Sequence, residues 1–106
     1  MPLYESLSNM VVGVSVFELH LPYAQSLKGK RKVVKSLVEK VHSRFRVSIA
    51  ETGFQDLHQR AEISLALVAQ NDSDAERMLD ALRDAIFEQT DAMVLGWDPE
   101  ILEMSP

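Results

Sequence analysis

The hydrophobic pattern of this chain alternates between strand period and helix period in one order, and that order constrains the fold more than anything else in the sequence. Residues 10–19, MVVGVSVFEL, are valine-rich and read as a strand. Val12, Val14 and Val16 point one way; Gly13, Ser15, Phe17 and Leu19 point the other. Apolar side chains on both faces indicate a central strand. Residues 26–46, SLKGKRKVVKSLVEKVHSRFR, carry Leu27, Val33, Val34, Leu37, Val38, Val41 and Phe45 at helical spacing. Ser26 suits an N-cap, but Gly29 three residues on excludes a capping box, and the helix could begin near Lys30. VSIAETGF (47–54) and AEISLALVAQ (61–70) are two further strands joined by QDLHQR, with Ile63, Leu65 and Leu67 as the core face of the second. Asn71 to Ser73 caps a second helix running to Gln89, striped by Ala75, Met78, Leu79, Leu82, Ala85 and Ile86, with Phe87 at the stripe's edge. Met93 to Trp97 is the last strand. Pro99 leaves the tail as either a bulged edge strand or a separate short one.

The order β-α-β-β-α-β predicts an α+β fold, the ferredoxin-like split βαβ. Its four-stranded antiparallel sheet is ordered 4-1-3-2, with two helices on one face. The valine strands 1 and 3 then fall in the centre. At 106 residues the chain is expected to be a single domain over residues 10–106, preceded by a loose extension over residues 1–9.

Charge is divided unevenly. Lys28, Lys30, Arg31, Lys32, Lys35, Lys40, Arg44 and Arg46 are eight of the eleven basic residues, and within residues 26–46 only Glu39 opposes them. The rest of the chain holds three basic and fifteen acidic residues, so the net charge of −5 conceals a positive helix on a negative protein. The average argues against indiscriminate nucleic-acid binding but not against a local basic site, because fields act over roughly 10 Å at about 0.1 M salt. Zero cysteines excludes disulfide scaffolds, thiolate metal sites and thiol nucleophiles. No stretch is long and apolar enough to cross a membrane, and the polar start MPLYESLSN lacks a basic n-region, so a cytoplasmic protein is expected.

The topology predicts where polar groups meet. The 20–32 segment and the 55–60 connection share one end of the domain, which brings together His20, Lys28, Lys30, Arg31, Lys32, Asp56, His58 and Arg60. Asp72, Asp74 and Glu76 occupy the opposite end. Lysines in a helix's first turn oppose its dipole, and an anion docked there would offset that cost. RNA phosphate is the obvious ligand, contacted by Lys28, Lys30, Arg31, Lys32, Lys35 and Arg60; a solvated basic face or a protein contact are the other readings. The sheet face away from the helices is expected to include Gly13, Ser15, Phe17, Leu19, Ser48, Ala50, Thr52, Ser64, Ala66 and Val68. Phe17, Leu19, Ala66 and Val68 on it would form a homo-oligomer surface, with a dimer favoured.

Several chemistries find no support. Phe17 is the one aromatic of strand 1 and strand 3 has none, so the aromatic platform by which some proteins of this topology stack RNA bases is missing. There is no GxxG clamp, no nucleotide-binding glycine spacing and no nucleophile–base constellation. His20, His42 and His58 form no recognisable metal set, His20 with His58 being the only pair worth naming. Asp56 and Arg60 are expected to pair and shape their connection. No cofactor, metal or catalytic residue is expected.

Two runs carry a family resemblance. Leu19, His20, Pro22, Ala24, Ser26, Leu27, Lys28, Lys30, Arg31, Val34 and Lys35 match one in order. Val47 to Gly53, then Gln55, Asp56, Leu57, Gln59, Arg60 and Ala61 match the second. Together they resemble the YlxP-like family of small bacterial proteins over residues 10–103. Gly29 stands where that family usually has an acidic residue, and His58 where it often has tryptophan. The resemblance implies a ferredoxin-like fold and offers no catalytic residues. Family genes often lie near those for translation initiation and ribosome maturation factors, which implies an accessory role at the ribosome.

Overall fold

The computed structural model describes Leu7 and residues 9–104; the extension expected over residues 1–9 falls largely outside the described residues. Six elements follow in the expected order: β1 (Val11–His20), α1 (Leu27–Arg44), β2 (Ser48–Gly53), β3 (Arg60–Ala69), α2 (Asp72–Gln89) and β4 (Met93–Glu103). They make a four-stranded antiparallel sheet ordered β2-β3-β1-β4, with α1 and α2 against one face. This is the ferredoxin-like split βαβ topology.

Each helix starts on a side-chain cap. Ser26 accepts from the Gly29 amide at 3.0 Å, so α1 begins at Leu27 and not near Lys30. Asn71 accepts from the Asp74 amide at 2.8 Å, and Asp72 and Asp74 place negative charge in α2's first turn, where the dipole favours it.

The register of β1 against β3 decides which face is buried. Gly13 pairs with Leu67, Ser15 with Leu65, Phe17 with Ile63 and Leu19 with Ala61. Paired residues share a face, so β3's core side chains carry those of β1 under the helices with them. Phe17 and Leu19 are buried, and the expectation that they line the open face is overturned. Gly13 and Ser15 are buried on the same side, and Val12, Val14 and Val16 take the open face instead. The physical reason is volume: the helix-covered face takes Phe17 and Leu19, and Gly13 lets Leu67 and Leu79 close over it. A Cβ at Gly13 would sit 3.1 Å from Leu67 Cδ1 and 3.3 Å from Leu79 Cδ1.

β4 is one edge strand that runs through Pro99. Val16 pairs with Asp98 and Glu18 with Leu95, so β4 carries an extra residue at Gly96–Trp97. Gly96 has φ +70, the left-handed conformation that a glycine bulge requires. Beyond the bulge the Trp97 ring returns to the core, 5.7 Å from Phe17 between centroids. Trp97 and Met78 both pack against the core. β2 carries a second irregularity between Glu51 and Gly53, so Gly53 marks both a bulge and the strand's end.

Candidate functional site

The β1–α1 connection and the β2–β3 hairpin do share one end of the molecule. The Leu21 amide donates to Gln59 O at 2.9 Å, and Gln59 Nε2 donates to Pro22 O at 3.1 Å and Ala24 O at 3.4 Å. The hairpin turns through Phe54, whose φ of 58 is unusual for a bulky side chain.

Lys30 holds that turn. It lies on α1's buried stripe with Val34, Leu37 and Val41, and its side chain is inaccessible. Its ammonium donates to Phe54 O at 2.8 Å, Arg60 O at 3.1 Å and Gln55 O at 3.4 Å. Glu51 Oε2 lies 2.8 Å away and supplies the counter-charge. An ammonium has three protons; the three carbonyls use them, and Glu51 acts as an ionic neighbour. Lys30 is therefore not a surface phosphate ligand, and the expectation that it contacts an anion is overturned. The signal was present: residues 30, 34, 37 and 41 are spaced i, i+4, i+7, i+11, so Lys30 is in phase with the apolar stripe and its basic neighbours are not.

Arg60 does not pair with Asp56. Its Nε donates to Glu18 Oε1, the same oxygen that lies 3.0 Å from His20 Nε2. Its guanidinium stacks 4.0 Å from the centroid of the Phe54 ring. The Arg60 hydrogen bond, with His20 helping, holds the Glu18 carboxyl below the ordinary carboxylate range against the opposing effect of burial. This trio of Glu18, His20 and Arg60 was missed by sequence reasoning; the β1–β3 register, which pairs His20 with Arg60, creates it. Asp56 and His58 are exposed on the hairpin. Among the described residues no group of three His, Asp or Glu side chains is placed to hold a metal, and no helix is long and apolar enough to cross a membrane.

The remaining cations of α1 point to solvent. Lys28, Arg31, Lys32 and Lys35 are exposed. At about 100° per residue they fall within an arc of about 100° on the side away from Val34 and Leu37, and about 10 Å of helix axis separates Lys28 from Lys35. Glu39 shares the arc and lies 4.0 Å from Lys35, an exposed i,i+4 pair. Among the described residues no ion pair engages Lys28, Arg31, Lys32, Lys40, Arg44 or Arg46; the Arg44 guanidinium lies over the Phe45 ring, 5.5 Å from its centroid.

Of the four residues expected to form the homo-oligomer surface, the open sheet face keeps Ala66 and Val68; Ser48, Ala50, Thr52 and Ser64 also lie on it as expected. Val12, Val14, Val16, Leu95 and Leu102 join them, while Thr52 donates to Glu62 Oε2 at 2.9 Å and lies 2.6 Å from Ser64 Oγ at the β2 side. Val12, Ser48, Ala66 and Val68 line a shallow open groove bordered by His42 and Arg46.

Two comparisons bear on identity. Residues 12–98 match a family described as a protein of unknown function, DUF503. The uncharacterized protein YlxP of Bacillus subtilis is 36% identical over 69 residues, covering 65% of this chain and 75% of the relative.

Proposed function

The chain belongs to the DUF503 family, and from that premise we propose that it is a non-enzymatic accessory factor of the cytoplasm that contacts structured RNA, ribosomal RNA foremost, through the outer face of α1. One observation carries this reading: Lys28, Arg31, Lys32 and Lys35 form an exposed cationic row on a rigid helix, with Glu39 the one acid among them. On a protein of net charge −5, such a row concentrates positive potential where a phosphate backbone could lie. Ser26 already occupies the Gly29 amide, so side-chain charge, more than the helix terminus, supplies the attraction.

The test is co-sedimentation with purified ribosomal subunits at about 50 mM and about 300 mM salt, for the parent and a variant with Lys28, Arg31, Lys32 and Lys35 changed to alanine. Lys30 is left intact, because its loss would confound binding with folding. The expected result is saturable binding by the parent that weakens with salt, at a log–log slope of about −0.7 to −0.9 per phosphate neutralised, and loss of binding by the variant. Binding that ignores salt, or that survives in the folded variant, refutes the reading.

A further inference from the structure

The open sheet face leaves apolar side chains of three neighbouring strands without a cover among the described residues. Val16, Val68, Met93, Leu95 and Leu102 are all between 38% and 63% exposed there. Val12, Val14 and Ala66 fill the middle, only partly buried. Singly exposed apolar side chains are ordinary, but a patch shared by the three neighbouring strands β3, β1 and β4 is not.

Over the levels of Val12 to Val16, charge on this face is sorted by strand; at the next level Glu18 and Glu62 sit side by side on the inner strands, with His20 and Arg60 beyond them. Asp98 and Glu100 lie on β4, opposite Val16 and Val14 of β1. Neither has an ion-pair partner among the described residues. Arg46 and His42 border the groove at the β2 side. Over those levels the face is thus apolar in the middle, acidic along one edge and basic at the other.

We infer that this face is the interface of a homodimer whose two-fold axis runs parallel to the strands, so that β1 lies over the partner's β3 and β2 over the partner's β4. In the sheet order β2-β3-β1-β4, that axis exchanges the outer strands with each other and the inner strands with each other. The registers keep equivalent levels together. Val12 is level with Val68 and Leu102, Val14 with Ala66 and Glu100, and Val16 with Ser64 and Asp98. Val12 therefore meets the partner's Val68, and Val14 the partner's Ala66, each contact occurring twice. Ser48 is level with Ala66, so Arg46, two residues earlier, comes within side-chain reach of the partner's Glu100. A two-fold axis perpendicular to the strands would instead stack β4 on β4, with Asp98 and Glu100 toward their own copies; the strand-parallel axis sets Glu18 over the partner's Glu62, where Arg60 and Thr52 already bond those two carboxylates within each protomer. Strands spaced about 4.8 Å apart, rising about 3.4 Å per residue, define a flat footprint on the order of 500 Å². Side-chain relief raises the accessible area toward the roughly 800 Å² per partner of a standard interface. A second copy meets three needs together: size, apolarity and charge. α1 lies on the far side of the sheet, so this surface is independent of the RNA contact.

The experiment is light scattering coupled to size exclusion, on the full chain at about 100 μM and in dilution. The parent should elute at about twice the 11.9 kDa of one chain. Val14→Lys should be monomeric while keeping the parent's circular dichroism and its ribosome co-sedimentation. Arg46→Glu and Glu100→Arg should each weaken the dimer at least tenfold, and the double variant, which restores opposite charges, should recover most of that loss. A monomeric parent overturns the dimer. A dimeric Val14→Lys overturns this face. Failure of the double variant to recover overturns the strand-parallel axis.

Discussion

Replacing Lys30 with methionine should destabilise the fold by about 3 kcal/mol. Methionine matches the aliphatic stem and fills the same space, so the packing among Val34 and Leu37 is largely kept and the loss isolates the ammonium. Three carbonyls lose a donor, at about 0.5–1.5 kcal/mol for each well-made bond. The 3.4 Å contact to Gln55 contributes least, and Phe54 O retains the Leu57 amide at 3.0 Å. Glu51 is left without its counter-charge. Removing one partner of a buried pair costs about 3–5 kcal/mol, and the low end applies because the Glu51 side chain as a whole keeps 18% exposure, although the Oε2 that faces Lys30 is buried.

Urea unfolding followed by circular dichroism measures this directly. With a slope of about 1.5 kcal/mol/M, the midpoint should fall by about 2 M. Lys28→Met, two residues away on the exposed face, is the control and should change stability by no more than about 0.5 kcal/mol. Adding Glu51→Gln to Lys30→Met should recover at least about 1 kcal/mol, because the stranded charge is removed. A Lys30→Met protein within about 1 kcal/mol of the parent, or equal to Lys28→Met, would refute the assignment of Lys30 as the pin of the hairpin.

Glu18 predicts a pH dependence. Its folded pKa is depressed below 4.5 by Arg60 and His20, so its stabilisation is present above the unfolded pKa and is lost as pH falls through the folded one. The urea midpoint of Glu18→Gln should therefore lie below the parent's at pH 7, and the gap should close as pH drops beneath about 4.5; a gap that stays constant would contradict the pairing. Gly96→Ala should destabilise by about 1–2 kcal/mol from backbone strain alone, since φ is +70 and an added Cβ meets nothing within 4 Å. A thermal melt unchanged by that substitution would show that the β4 bulge relaxes freely.

Element order was legible because each element announces its period: valine alternation in β1, the i, i+3, i+4 stripes of α1 and α2, the caps at Ser26 and Asn71. Sheet order followed from topology. The faces of β1 were not legible from β1 alone. VVGVSVFEL is apolar at both parities, and three valines look as core-like as a glycine, a serine, a phenylalanine and a leucine. Only the pairing with Ile63, Leu65 and Leu67 breaks the tie, and pairing is a long-range property. The same holds for Arg60, whose expected partner was Asp56 but whose partner in the sheet is Glu18. Charge alone was also insufficient on α1. Seven cations on one helix look like one population until helical phase separates Lys30 from the rest.

That separation explains why a lysine, and not a leucine, occupies the buried position. The hairpin leaves β2 through a left-handed Phe54, and the carbonyls of Phe54, Gln55 and Arg60 turn inward where no backbone amide of α1 can reach them, since its amides serve the helix. A long side chain with three donors is the one kind of residue that can cross that gap, keep its stem in the core and satisfy several acceptors at its tip. Glu51, at intermediate depth on β2, offsets the charge without being fully desolvated itself. The consequence reaches the surface. Lys30 ties the first turn of α1 to the hairpin, which opposes tilting of the turn that carries Lys28, Arg31 and Lys32 and fixes their spacing in the free protein. A rigid cationic row loses less entropy on binding than a mobile one. On the proposed reading, Lys30→Met should therefore weaken co-sedimentation with ribosomal subunits even at a temperature where circular dichroism shows the variant folded, although the Lys30 side chain is buried.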